Sequence, residues 1–232
     1  MTDKISDWYS IIGKSDKKLV TTFKPNSTYK THYIDPCSMI MAVGGTGSGK
    51  STALLEFLKR TNDTFHKVII FSGSSTDEPI FNYIENKFEE HVEMYEDIEE
   101  LPSLNEDKDT KHQKLIVFDD FINLPKKDFR KINEYLTAGR KKGYTVFLMA
   151  QNYVSVPKII TRNLNYLIIF KINDNVSINT IIKNHNVTQL SAEEFKDIYT
   201  RATAVKPNFL LIDMKTTIPR LKLRQNFLNF IS

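Results

Sequence analysis

Eight residues, GGTGSGKS at positions 44–51, leave the chain little choice in how to fold around them. The apolar run Ser38–Val43 comes before them, and Leu54, Leu55 and Leu58 recur at helical spacing after them. This order predicts a buried strand, a tight loop and a helix over Ser51–Arg60. The spacing is G-x-x-x-x-G-K-[ST], with Gly44, Gly49, Lys50 and Ser51 in register. A backbone that wraps a polyphosphate must point successive N–H groups inward. That requires glycine where a Cβ would collide or where φ is positive. The helix start adds its dipole and free amides. The expected contacts are Gly45, Thr46, Gly47, Ser48, Gly49, Lys50, Ser51 and Thr52, with Lys50 on the β- and γ-phosphates of ATP and the Ser51 hydroxyl on Mg²⁺.

Two more segments share this logic. LIVFDD, residues 115–120, is an apolar strand that ends in acids. Ligands of α/β sheets bind at such carboxyl-terminal strand ends. Asp119 is expected to hold the Mg²⁺ hydration shell, and Asp120 to orient or deprotonate the attacking water. TVFLMAQN, residues 145–152, is a strand leading to Gln151, an amide that can polarise a water without competing for its proton. An N-K-x-D base-reading motif, which a GTPase would want, is absent.

The rest of the chain alternates in the same way. Strands are expected at Lys67–Ser72, Val92–Tyr95, Tyr166–Lys171 and Phe209–Asp213, and helices at Pro79–Phe88, Lys126–Lys142, Val156–Arg162 and Asn175–Asn184. Ser191 with Glu194 forms a capping box that opens a further helix to about Ala202. Pro125 is expected at the first helical position of the basic helix, and Gly143 after its end. Residues 102–113 have no periodicity and read as an exposed loop. The fold class is α/β: a P-loop NTPase with a mainly parallel central sheet flanked by helices, of RecA-like, additional-strand type. Three regions are expected: an irregular lead-in over 1–37 with one or two short strands, an ATPase domain over 38–213, and a basic tail over 214–232.

Composition narrows the function further. No apolar run approaches the ~18 residues of a membrane span, and the N-terminus lacks a secretory signal pattern. Cys37 is the single cysteine, so an intrachain disulfide and a cysteine–histidine metal site are both excluded by count. The net charge of +4 is unevenly spread, because residues 77–109 hold 13 acidic and 2 basic side chains. The remaining residues carry 30 Lys and Arg against 15 Asp and Glu, a basic body suited to a polyanion.

Together GGTGSGKS, LIVFDD and GRKKGYTVFLMAQNYVSVPKIITRN resemble the FtsK–HerA superfamily of DNA-pumping ATPases. Within it the chain is similar to the genome-packaging ATPases of nucleocytoplasmic large DNA viruses and virophages. The segment EEFKDIYTRATAVKPNFLLIDMKT and the later RQNF belong to the same resemblance, which spans roughly residues 38–228. It implies a homo-oligomeric ring of five or six subunits that drives double-stranded DNA into a preformed capsid at a capsid or portal vertex. Such a ring would work in the virion or the host-cell cytoplasm (the viral factory), hydrolysing ATP with Mg²⁺ at subunit interfaces. Lys50, Ser51, Asp119 and Gln151 carry over onto the family's motifs, whereas Asp120 stands where the superfamily usually has glutamate. One methylene less favours water positioning over direct proton abstraction. The resemblance also calls for an arginine acting on a neighbour's nucleotide, for which Arg140 is the first candidate and Arg162 the second. Candidate DNA contacts are Lys126, Lys127, Arg130 and Lys131 on one helix and Arg220, Lys222 and Arg224 near the end. Two other readings stay open at this stage: a cellular-type translocase or helicase of the same superfamily, and an ATP-binding virion component that is no motor.

Overall fold

The computed structural model describes residues 11–12, 23–74, 78–125, 127–185 and 190–231. Among the described residues nine strands form one sheet: β1 Met39–Val43, β2 Lys67–Ser72, β3 Val92–Tyr95, β4 Lys114–Asp119, β5 Tyr144–Ala150, β6 Tyr166–Ile169, β7 Leu210–Asp213, β8 Leu223–Gln225 and β9 Asn229–Phe230. Their order is β3-β2-β4-β5-β1-β6-β7-β8-β9. The first six in that order are parallel, while β7, β8 and β9 join antiparallel. The mainly parallel sheet expected from the sequence is therefore present, with an antiparallel flank added at one side.

The central strands are apolar without alternation because both faces are covered. All five residues of β1 are buried. Met39, Met41 and Val43 face one core and Ile40 and Ala42 the other. The second core is closed by α1 (Lys50–Arg60) through Leu54, Phe57 and Leu58, and by α2 (Pro79–Phe88) through Phe81 and Ile84. The first is closed by α3 (Phe129–Ala138), α4 (Lys158–Asn163), α5 (Asn175–His185) and α6 (Ala192–Ala202). The Ser191 capping box is complete: its hydroxyl accepts from Glu194 N, and the Glu194 carboxylate accepts from Ser191 N.

Four expectations need correction. The basic helix starts at Phe129 rather than beside Pro125, whose carbonyl instead accepts from Asp128 N and Phe129 N in a preceding turn. Past Ala138 it tightens into a 3₁₀ turn over Gly139–Lys142. Residues 102–113 form the expected loop but are only partly exposed, since Leu104 is buried and Asp107 accepts from Lys114 Nζ at 2.7 Å and from the Tyr144 hydroxyl at 2.7 Å. Lys114 itself is only 2% exposed, so a buried ammonium needs that carboxylate. The described part of the lead-in holds a 3₁₀ turn at Tyr29–Thr31 and no strand. The described part of the expected basic tail over 214–232 is not a plain tail, because β8 and β9 extend the sheet.

A buried ion pair ties that flank to the lead-in. Arg224 is fully buried and donates to Asp213 Oδ2 at 3.0 Å, His32 O at 2.9 Å and Phe227 O at 3.3 Å. Burial pushes the Asp213 carboxyl above its ordinary range, and the Arg224 guanidinium opposes that shift. Removing one member strands the other charge in the interior. Arg224→Ala should lower unfolding stability by about 3–5 kcal/mol, and Arg224→Met with Asp213→Leu should recover most of the loss. Denaturant midpoints of the three proteins check this.

Candidate nucleotide-binding site

Register brings the predicted residues to one level. β5 lies between β1 and β4, with Val43 opposite Ala150 and Met149 opposite Asp119. Gly44, Gln151 and the Asp119–Asp120 pair therefore leave three adjacent parallel strands at the same edge. Neighbouring strands lie about 4.8 Å apart, so the phosphate loop and the acid pair stand roughly 10 Å apart with Gln151 between them. Gly44 N donates to Ala150 O at 3.1 Å, which pins the loop to β5. A cavity of about 630 Å³ opens here, lined among others by Thr46, Gly47, Gly49, Lys50, Ser51, Thr52, Asp119, Asp120 and Gln151.

Two glycines show what the loop demands. Gly49 has φ 116°, and a Cβ there would come within 2.7 Å of Pro207 Cβ. A Cβ at Gly44 would come within 2.7 Å of Phe170 Cβ. The loop is thus tight against β6 and against the segment that enters β7, and no other residue fits without displacing them. Gly45, in contrast, faces open space. Lys50 Nζ sits inside the loop on the carbonyls of Gly44 (2.9 Å) and Gly45 (3.3 Å). Burial lowers its pKa, and Asp119, Glu78 and Asp120 pull it back up.

The acid side of the cavity is crowded. Asp119 is raised to about 6 by burial, countered by Lys50 and reinforced by the negative charges of Glu78 and Asp120. Asp120 takes a left-handed backbone, φ 49°, that turns the chain into the 3₁₀ segment Phe121–Asn123. Ser51 Oγ donates to Glu78 Oε2 at 2.8 Å. The donors are all oxygen, and burial makes the negative charge of Asp119 costly beside the exposed Glu78, which is the environment a hard divalent cation relieves. Ser51, Asp119 and Glu78 fit Mg²⁺.

Glu78, Lys206 and Pro207 line this cavity and were missed in the sequence. Glu78 follows β2, whose Ser72 pairs with Asp119, so its place one strand beyond the acid pair was the available signal. Lys206 and Pro207 precede β7. Because β7 is antiparallel, with Ile169 opposite Leu210, its entry rather than its exit reaches the phosphate edge. No pattern in the chain announces that reversal.

The remaining candidates lie elsewhere. Arg140 is exposed in the turn before β5, close enough to Cys37 to influence its thiol, and Arg162 is exposed near the end of α4. Both therefore sit toward the opposite edge of the sheet. Of the proposed DNA contacts, Lys126 lies outside the described residues. Arg224 is buried in its ion pair, and Lys131 Nζ is held by Leu101 O at 3.0 Å. Lys127, Arg130 and Arg220 are exposed.

The family described as Poxvirus A32 protein matches residues 25–212. No curated protein matches by sequence. Among solved structures, the DNA-packaging ATPase B204 of Sulfolobus turreted icosahedral virus superposes with TM-score 0.56 at 16% identity, covering 83% of this chain and 98% of its own. The genome-packaging NTPase B204 of Sulfolobus turreted icosahedral virus 2, in complex with AMPPCP, gives TM-score 0.56 at 18% identity over 82% and 96%. The pCW3 conjugation coupling protein TcpA, with ATPγS, gives 0.56 at 14% over 84% and 62%. At these identities the likeness establishes the shared fold.

The elevated Asp119 pKa makes a claim about stability. Below the unfolded carboxyl value near 3.8 the group is protonated in both states and costs nothing; above about 6 it is charged in both, and folding carries the full penalty. In EDTA, Asp119→Asn should stabilise the protein by about 2–3 kcal/mol at pH 8 and by almost nothing near pH 3.5. Unfolding midpoints at the two pH values read this out.

Proposed function

The chain belongs to the Poxvirus A32 protein family, and on that footing we propose that it is an ATP-driven double-stranded DNA translocase that packages a viral genome. The observation that carries the reading is one cavity uniting Lys50, Asp119, Asp120 and Gln151 at the ends of three adjacent strands. The folds it shares include packaging ATPases and an NTPase with bound ATP analogue, which supports ATP as the fuel. Ser51 and Asp119, with Glu78 beside them, would hold Mg²⁺, which would supply charge neutralisation to the phosphates.

The protein's own groups then have separate tasks. Backbone amides of residues 45–51 and the start of α1 cradle the phosphates, and Lys50 places a half-buried positive charge on them. Asp120 and Gln151 orient the attacking water from two sides, and a carboxylate one methylene shorter than glutamate suits positioning. Lys206, at the cavity wall, adds a cation from the same chain. The subunits form a homo-oligomeric ring in which Arg140 approaches the neighbour's nucleotide. The ring grips DNA phosphates rather than bases, because a packaging motor must move any sequence. Its station is a capsid or portal vertex, in the virion or the host cytoplasm.

DNA-stimulated ATPase activity tests this. Double-stranded DNA should raise turnover of the wild type, and Lys50→Ala should abolish it. Arg140→Ala should lower turnover by roughly 10³–10⁵ if it completes the neighbour's site. Adding Lys50→Ala subunits, which keep Arg140, should restore part of the activity of Arg140→Ala subunits. Nucleotide binding with negligible turnover, with or without DNA, would instead identify a structural ATP-binding component.

A further inference from the structure

Away from the nucleotide cavity, one cluster gathers the donors of a transition-metal centre. His66, Asp109 and His112 each offer one ligand atom, and those atoms all lie within 4.8 Å of one another. The cluster stands at the opposite edge of the sheet from the phosphate loop, because His66 directly precedes β2 and His112 comes two residues before β4. These strands are parallel neighbours with Lys67 opposite Lys114, and His66 N continues the pairing by donating to Gln113 O at 2.8 Å. Sheet register therefore fixes the spacing of the two histidine backbones.

The loop carrying the other donors is clamped as well. Asp109 Oδ1 accepts from Lys111 N at 2.8 Å and His112 N at 3.3 Å, and Asp109 Oδ2 lies 3.0 Å from His112 Nδ1. The Asp109 carbonyl accepts from buried Lys114, whose ammonium is also held by Asp107. The rings of His66 and His112 lie 4.6 Å apart, tilted by 32°. Two imidazoles and a carboxylate thus converge on an anchored backbone, with both histidine side chains exposed and Asp109 half-buried.

We propose that His66, Asp109 and His112 bind a divalent transition metal, zinc by the chemistry of the donors. Two nitrogens and one carboxylate oxygen are a borderline set that suits zinc, whereas magnesium and calcium want oxygen alone. Bonds of about 2.0–2.2 Å in a tetrahedral centre put ligand atoms about 3.3–3.5 Å apart, so the present spread closes by side-chain rotation. His66 and His112 also line a cavity of about 400 Å³ together with His91, whose ring lies 6.3 Å from that of His66. A metal here pins the acidic loop before β4 to the start of β2. The site is independent of the nucleotide cavity and of the packaging reading.

Titration of the full chain with Co²⁺ in excess Mg²⁺, followed by visible absorption and displacement with Zn²⁺, tests the proposal. One equivalent of Co²⁺ should bind with tetrahedral d–d bands that Zn²⁺ removes. His66→Ala, His112→Ala and the milder His112→Gln should each weaken binding at least tenfold, while Asp119→Asn leaves it unchanged. Unfolding midpoints in EDTA should match the wild type for the three histidine variants. Absence of stoichiometric binding, binding that survives His66→Ala and His112→Ala together, or binding lost in Asp119→Asn would each overturn the site.

Discussion

The parallel register of β1, β5 and β4 is the constraint on which the site depends. With Val43 opposite Ala150 and Met149 opposite Asp119, the glycine loop, the glutamine and the acid pair cannot drift relative to one another. A slip of one residue in β5 would exchange Val146 and Leu148 in one core with Phe147 and Met149 in the other, and close-packed cores do not accept side chains of different volume and shape. The same packing that stabilises the sheet therefore holds the loop, the glutamine and the acid pair at one level. Met41 and Val43 on one side and Ile40 and Ala42 on the other serve structure and chemistry together.

That rigidity tolerates an electrostatic arrangement that would otherwise relax. Glu78, Asp119 and Asp120 crowd one wall, with Lys50 opposite. Burial holds the Asp119 proton on to about pH 6, and its like-charged neighbours add to the effect. Stability is thus lower above that pH, where Asp119 is charged. Local strain belongs to the same wall, since Asp120 adopts a left-handed backbone immediately after the strand. The sheet supplies the surplus that holds both.

Local patterns made most of this legible. GGTGSGKS between an apolar run and an amphipathic helix can fold in one way, and Ser191 with Glu194 announces its cap through side-chain geometry alone. LIVFDD and TVFLMAQN revealed their strand ends, because an apolar run that stops at a polar residue marks an edge. What stayed hidden depended on partners distant in sequence. Arg224 reads as one more basic residue near the end of the chain until Asp213 and the carbonyl of His32 surround it. Lys114 and Asp107 likewise turn an apparently structureless loop into a clamp. Lys206 reaches the cavity only because β7 runs backwards, a choice made by pairing rather than by any residue within it.

Sheet polarity also decides how a further cation can reach the nucleotide. Arg140 lies before β5 and Gln151 after it, and the seven residues of that strand span about 20 Å. A guanidinium at the first end cannot reach a phosphate at the second within one chain. Any contribution of Arg140 to hydrolysis must come from a neighbour that sets its own lower edge beside this upper one, a heterologous, head-to-tail contact. Contacts of that kind close into rings when the rotation permits. Lys206, by contrast, comes to the cavity wall from the same chain, because β7 enters the sheet at that edge.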